Sequence, residues 1–265
     1  MRNKQNRRFY TKKLVQATEQ SAHEKEFARL AFTAGDSPRI IDQPPLIFHY
    51  NDVRNEEYRA ILERSMGGYL ASLPAERRVL LSRYVLVDMA FKVVGVGSVG
   101  TFCGLALFMS GNGDPLFLQF KQARQSVLEP YAGPSPYQHS GERVVVGQRL
   151  MQAAGDMFLG WFTGTGKYAM QFFGRQLRDA KIKPVVEVMG ASELKEYARL
   201  CGRALARAHA RSGDAAVLSG YMGRSSTFEE ALADFSVAYA DQNERDHAAL
   251  LDAIRAGRVE AQLAE

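Results

Sequence analysis

The apolar positions of this chain follow two spacings, and the change from one to the other predicts its architecture. Between Ser192 and Arg211, the residues Leu194, Tyr197, Ala198, Cys201, Leu205 and Ala208 recur at three- and four-residue steps, on one helix face. Phe228, Leu232, Phe235 and Tyr239 form a second stripe, opened by a capping box of Thr227 with Glu230. A last helix is expected from Asn243 to Arg255, with Gly257 as a natural stop. Nearer the start, Asn55 to Leu73 reads as a helix stopped by Pro74, which can itself open a second helix towards Tyr84. The centre differs. Tyr84 to Val94 is rich in valine, leucine and aromatics, and Thr101 to Met109 and Pro115 to Lys121 are short apolar runs parted by Gly, Asn and Asp. These are strand signals. Met157 to Phe162 and Tyr168 to Leu177 predict another hairpin, joined by Thr163-Gly164-Thr165-Gly166. Between the hairpins, Glu142 to Ala154 is expected to be helical, although Val144-Val145-Val146 pulls towards strand.

Residues 1–45 read as a basic extension and linker. Lys and Arg cluster at its start, a polar helix-like stretch runs from Leu14 to Phe32, and Pro38 and the Pro44-Pro45 pair close it. A helical segment is expected over 46–83, a glycine-loop sheet lobe over 84–190 and a helical lobe over 191–265. Segregated elements of this kind mean α+β: a small, mainly antiparallel sheet with one inserted helix, flanked by helical segments.

The 265 residues suffice for one large domain or two small lobes, and 46% hydrophobic with 24% charged residues excludes wholesale disorder. Lys+Arg number 34 against 29 Asp+Glu, a formal charge of +5. That excess permits a phosphate-rich ligand or nucleic acid and demands neither. The two cysteines, Cys103 and Cys201, cannot frame a disulfide scaffold and fit a reducing, cytoplasmic setting. The five histidines are scattered singly, so no metal site is expected. The basic start has no apolar stretch behind it, which argues against a secretory signal. Val93 to Gly113 carries no charge and is long enough to cross a bilayer. Its repeated glycines and the turn Ser110-Gly111-Asn112-Gly113 read as strands instead, so no membrane span is expected.

The sharpest chemical signal is Lys92-Val93-Val94-Gly95-Val96-Gly97-Ser98-Val99-Gly100, a GxGxxG. In a dinucleotide fold such glycines lead into a helix. In a kinase they form a hairpin turn between strands, over the phosphates of ATP. Thr101 to Met109 is a poor helix start and a good strand, and a turn then leads to Phe117-Leu118-Gln119-Phe120-Lys121. Strand, glycine loop, strand, turn and a strand ending in lysine is the kinase-like order. The plainer reading is a tight hairpin with Lys121 as a solvated strand end.

A kinase-like site also wants a carboxylate to fix the lysine, and Glu129 and Glu142 both qualify. Arg175 to Lys181, with Arg175 and Asp179, reads as a hinge beside a ligand or as a solvated turn. His209 to Asp214 offers His209 and Asp214 as candidates for catalysis. The competing reading is a helix end, with His209 and Arg211 favouring the dipole and Gly213 as cap.

Several longer stretches, in this order, resemble one family. They are Lys92–Thr101 (KVVGVGSVGT), Leu118–Ala123 (LQFKQA), Gly141–Ala154 (GERVVVGQRLMQAA), Arg175–Lys181 (RQLRDAK), Ala206–Asp214 (ARAHARSGD) and Tyr239–Asp246 (YADQNERD). The family is the bacterial, uncharacterised domain of unknown function 2252, and the similarity runs from about Pro44 onward. It is similar in turn to the protein-kinase-like and aminoglycoside-phosphotransferase-like fold. Two departures stand out: the resemblance implies that family members usually have arginine in place of Phe102 and glutamate in place of Gln122. Longer members also carry an upstream Gly-Asp-x-His-x-x-Asn motif and an Asp-Phe-Asp stretch, which look like a catalytic base and metal ligands. His49-Tyr50-Asn51-Asp52 is not that motif. The resemblance therefore implies that this chain corresponds to the later portion of a longer member, with the phosphate-cradling half of a site.

The expected function is a kinase-like nucleotide-binding domain taking ATP with magnesium. Gly95, Gly97, Ser98 and Gly100 would cradle the phosphates and Lys121 would contact them. Glu129 or Glu142 would orient Lys121, and Arg175 and Asp179 would border the pocket. A second polypeptide would supply the acidic motif. The alternative is a non-enzymatic basic interaction module with structural glycines. Its Arg2, Lys4, Arg7, Arg8, Lys12 and Lys13 would then touch acidic partners or nucleic acid, although no motif specific to nucleic acid accompanies them.

Overall fold

The computed structural model describes residues 27, 30–34, 37–50, 52–95, 100–166, 169–177 and 184–261. The chain divides into two compact units, Met1–Ala204 and Leu205–Glu265.

The first unit is built on strands that follow the apolar runs of the sequence. β1 (Ala31–Ala34) and β2 (Ser37–Ile40) pair as a small antiparallel sheet. β3 (Ile47–Phe48), β4 (Tyr84–Lys92), β5 (Cys103–Ser110), β6 (Pro115–Gln122), β7 (Gly160–Thr163) and β8 (Gln171–Gln176) form a six-stranded sheet in the order β3-β4-β5-β6-β8-β7. Every pairing in it is antiparallel. The β5–β6 turn is stitched by the Ser110 hydroxyl, which accepts from the Asp114 N–H at 3.0 Å, and Gly113 takes a φ of 84°. After β6 the chain forms α3 (Glu129–Ala132) and α4 (Ser140–Met151), then returns to lay β7 at the far edge and β8 beside β6. The result is a mixed helix-and-sheet fold with an antiparallel sheet and one inserted helix of length.

Each face of the sheet has its own apolar cover. α1 (Asp52–Ser72) buries Leu62 and Tyr69 against Leu86, Met89, Phe91, Ala106, Leu118, Phe120 and Phe172. The fully buried Tyr69 donates its hydroxyl to the Phe158 carbonyl, and burial pushes its pKa far above the ordinary phenol value. Pro74 ends this helical segment and stands as N-cap of α2 (Ala75–Leu81). The opposite face is covered by Leu30, Ala31, Ile40 and Ile47, packed on Ala90, Leu105, Leu107 and Phe117. Ala31 and Phe32, expected at the end of a polar helix, are therefore strand, and the core includes residues from the extension. Phe27 and Leu30 are helical, and the rest of that helical reading, residues 14–26, 28 and 29, lies outside the described residues. Val144-Val145-Val146 lies inside α4, with Val145 fully buried, so packing overrides the β-branched preference.

The second unit is helical. α5 (Ala191–Ser212) runs into it from the first unit, followed by α6 (Ala215–Met222) and α7 (Thr227–Arg255). α7 is one continuous helix, not two, because nothing between Tyr239 and Asn243 breaks it. Its N-cap is Ser226 rather than Thr227, and the Ser226 hydroxyl donates to Glu230 Oε1 at 2.5 Å. Among the described residues, no helix is long and apolar enough to cross a membrane.

Candidate functional site

Cross-strand partners share a face, so the register assembles one row of side chains across the sheet. Ile47 pairs with Lys92, Cys103 with Lys121, Lys121 with Phe173, and Phe173 with Trp161. Phe91 pairs with Gly104, and continuing that register sets Lys92 opposite Cys103. The row Ile47, Lys92, Cys103, Lys121, Phe173 and Trp161 thus spans all six strands at the end of β4 and β5 where the glycine loop joins them. Lys92 and Lys121 flank β5, with their backbones about 10 Å apart. Two residues along β6 and β8 on this same face, Gln119 pairs with Arg175.

The electrostatics of this patch are unusual. Gln119 is 3% exposed, its side-chain amide donates to Cys103 Sγ at 3.4 Å, and its carbonyl oxygen accepts from Arg175 Nη2 at 3.3 Å. Arg175 Nε is buried without a hydrogen-bond partner. Lys121 is half-buried, and no carboxylate pairs with it among the described residues. Burial holds its pKa below the ordinary lysine value, against an opposing pull from Cys103, and the neighbouring Arg175 guanidinium adds to the lowering. Burial conversely pushes the Cys103 thiol up, against the opposing pull of Lys121, Lys92 and Arg175. Cys103 is therefore a protonated, core-like thiol, and among the described residues the positive charge around it has no local counter-charge at Lys121.

Beside the row, at the same end of the sheet, a cleft of about 300 Å³ opens between Lys92-Val93-Val94 and Gly100-Thr101. Phe48, Tyr50, Tyr58, Phe91 and Phe102 line it. They form a connected ring cluster, with Tyr50 and Phe91 centroids 4.4 Å apart and Phe91 and Phe102 centroids 5.0 Å apart.

The structure brings together some of the residues expected from sequence and separates others. Lys121 and Arg175 meet on adjacent strands of one face. Gly95 follows β4 with open space around it, and Gly100 takes a φ of 71°, a conformation that favours glycine. Gly97, Ser98 and Asp179 lie outside the described residues. Glu129 is used locally: it accepts from Gln125 Nε2 at 2.7 Å and from the Ser126 N–H at 3.4 Å. Glu142 stands in the first turn of α4, where its charge only partly opposes the lowering of the His139 pKa by burial. Neither glutamate forms an ion pair with Lys121 among the described residues.

His209 and Asp214 belong to the helical unit. His209 is exposed, and its carbonyl accepts from the Gly213 N–H at 2.8 Å. The Asp214 carboxylate caps α6, accepting from Ala216 and Val217 at 2.8 and 3.1 Å. These contacts match a helix end.

Lys92, Cys103 and Gln119 join the site only in three dimensions, although the sequence carries a signal for them. Gln119 and Lys121 alternate with Leu118 and Phe120, so they share a face by strand period alone. A second constellation also escapes the sequence reading. His49 Nδ1 lies 2.6 Å from Asp42 Oδ1, and its Nε2 lies 3.1 Å from Asp88 Oδ2. Asp88 also accepts from the Ile40 N–H at 2.7 Å, so this trio pins β2 and the β3 turn to β4. An aspartate inside the apolar run Tyr84 to Phe91 is its signal, since a buried carboxylate needs partners. Among the described residues, no group of His, Cys, Asp and Glu is arranged to hold a metal ion.

The sequence matches a family of uncharacterised proteins conserved in bacteria, domain of unknown function 2252, over residues 1–253. The chain belongs to this family. The match takes in the basic start as well as the segment after Pro44. No curated protein matches the chain, and neither does any solved structure. Membership in domain of unknown function 2252 names no activity.

Proposed function

We propose that the sheet lobe binds the phosphate groups of a nucleotide, ATP in the kinase-like reading, at Lys121, Arg175 and Lys92. One observation carries this: Lys121 and Arg175 share a half-buried sheet face beside the glycine loop, and among the described residues no carboxylate pairs with Lys121. Two like charges on one half-buried face, Lys121 and Arg175, are unfavourable together until an anion joins them. At about 4 Å and an effective dielectric near 20, each cation–phosphate charge pair gains about 4 kcal/mol before desolvation. The partnerless Arg175 Nε is a donor such a ligand could reach through modest side-chain movement.

The order of elements supports the nucleotide over a bare anion. β4, the glycine loop, β5, a tight turn, β6 ending near Lys121, then α4 and the β7–β8 hairpin follow the kinase-like sequence of parts. α4 lies against the same face, since Arg149 on it stands over the Trp161 ring at 5.9 Å. Glu142 on α4 is the carboxylate this reading would bring to Lys121.

A phosphate fits the row and Mg²⁺ does not, because among the described residues no carboxylate there is placed to hold a cation. In this proposal the lobe binds and orients, and a second polypeptide with an acidic segment would hold the metal and take the acceptor's proton. Calorimetric titration of ATP, with and without Mg²⁺, tests it. Lys121→Ala should weaken binding at least about tenfold, a loss of about 1.4 kcal/mol. A Lys195→Ala change on exposed α5 should leave binding unaltered. No saturable ATP binding by the folded chain would sink the proposal.

A further inference from the structure

An amine beside an anion site is chemically distinct from an amine on an open surface. Among the described residues, no carboxylate holds Lys121 as an ammonium, and Arg175 stands one strand away on the same face. A reagent that carries a phosphate and an electrophilic carbon would be held with its carbon near that amine.

We propose that Lys121 is a site of acylation by small acyl phosphates, with Arg175 holding the phosphate, and that the modification shuts the anion site. The inference rests on the anion-binding half of the reading above and not on its kinase half. In the step, the Lys121 nitrogen attacks the acyl carbon and an N–C bond forms. The C–O bond to phosphorus breaks, phosphate leaves with the electron pair, and the amine proton passes to it. The products are an amide on Lys121 and inorganic phosphate, so no further reactant is needed.

Three features favour Lys121 over other lysines. Its half-buried position and its cationic neighbour enlarge the fraction present as free amine, the reactive form. The phosphate subsite supplies proximity. The nearby thiol does not compete well, because Cys103 is 5% exposed and burial keeps it protonated. Acylation removes one positive charge and adds bulk in the row, which opposes later binding of any phosphate ligand.

The test is incubation of the intact chain with acetyl phosphate, followed by quantitative peptide mass spectrometry, with exposed Lys195 as internal reference. Lys121 should be acetylated at least about tenfold faster than Lys195. Inorganic phosphate should slow Lys121 and leave Lys195 unchanged. Arg175→Gln should bring Lys121 down to the Lys195 rate, and phosphate protection of the unaltered chain tests the same point if that variant folds poorly. Equal rates at the two lysines, or no protection by phosphate, would overturn the inference. Phosphate-protected acetylation without ATP binding would uphold this inference while the nucleotide proposal fails. ATP binding without preferential acetylation would do the reverse.

Discussion

Phe102 and Gln122 hold each other across two neighbouring strands. The Phe102 N–H donates to Gln122 Oε1 at 3.2 Å, and the Gln122 N–H donates to the Phe102 carbonyl at 2.9 Å. These are the two positions where the family resemblance places arginine and glutamate. In this chain a ring and an amide occupy them, joined by these two hydrogen bonds. Phe102 instead packs near Phe91, Phe172 and Tyr58, at centroid distances of 5.0, 5.4 and 5.6 Å. Phe102→Arg alone should destabilise the chain by roughly 1–3 kcal/mol. Adding Gln122→Glu should recover about 0.5–1 kcal/mol. A double-mutant cycle by urea unfolding reads the coupling, and strict additivity would contradict the pairing.

His49 should stabilise the fold most in mildly acidic solution. Both ring nitrogens face carboxylates, so both donate only when the ring is charged. Burial opposes that charge, but the hydrogen bond and charge of Asp88, then those of Asp42, outweigh it and hold the pKa above 6.5. Burial likewise pushes Asp88 up, and His49 with the Ile40 and Met89 N–H groups more than reverses this, to below 3.8. The raised histidine contributes fully below pH 6.5 and loses its contribution as pH rises through the folded value. The lowered aspartate contributes above pH 3.8 and loses its contribution as pH falls through the folded value. Wild type should therefore exceed His49→Gln by on the order of 1–3 kcal/mol near pH 5, with the gap shrinking on the alkaline side. A gap that is flat from pH 5 to 8 would refute the arrangement.

His139 should act in the opposite sense. Its Nδ1 accepts from the Gly141 and Glu142 N–H groups at 3.0 and 3.2 Å, capping α4, and its Nε2 faces the Thr163 hydroxyl at 3.1 Å. A proton on Nδ1 abolishes the cap. Burial lowers this pKa below 6.5, against the Phe162 carbonyl and Glu142, so the contribution is present above 6.5 and declines as pH falls below it. His139→Asn should keep the cap and flatten the pH dependence, whereas His139→Ala should cost about 1 kcal/mol near pH 8. Thermal unfolding across pH 5–8 separates the two variants.

Gly174 is where α1 meets the sheet. A Cβ there would lie 2.6 Å from the Phe120 ring and 2.8 Å from Tyr69, both buried. Neither ring has room to turn, so Gly174→Ala should destabilise by roughly 1–3 kcal/mol. Gly147→Ala, with open space at its Cβ, should be neutral or stabilising by up to about 1 kcal/mol. Equal effects of the two changes on unfolding midpoint would contradict the packing.

The strands of the central lobe are legible because Gly, Asn and Asp punctuate apolar runs, and α4 is legible despite its valines. The β1–β2 hairpin is not. Its strands are four residues each, too short to show a period, and it is held by Leu30, Ile40 and the distant Asp88. α6 is hidden because its eight residues carry Gly220 and no charged position, so they show no helical period, and the capping role of Asp214 emerges only with the helix. Lys121 is legible from its place at the end of a strand. Its setting is not, because Lys92, Cys103 and Arg175 become neighbours only through sheet register.

Lys121, with Arg175 on the adjacent strand of the same half-buried face, is the core of the proposed phosphate site. The most direct measurement is an NMR titration of the Lys121 side chain with pH, without ligand and with saturating ATP. The account predicts a pKa below 10.5 in the free chain and a rise on adding ATP, because a phosphate favours the charged amine. A pKa that is ordinary in the free chain and unmoved by ATP would contradict it.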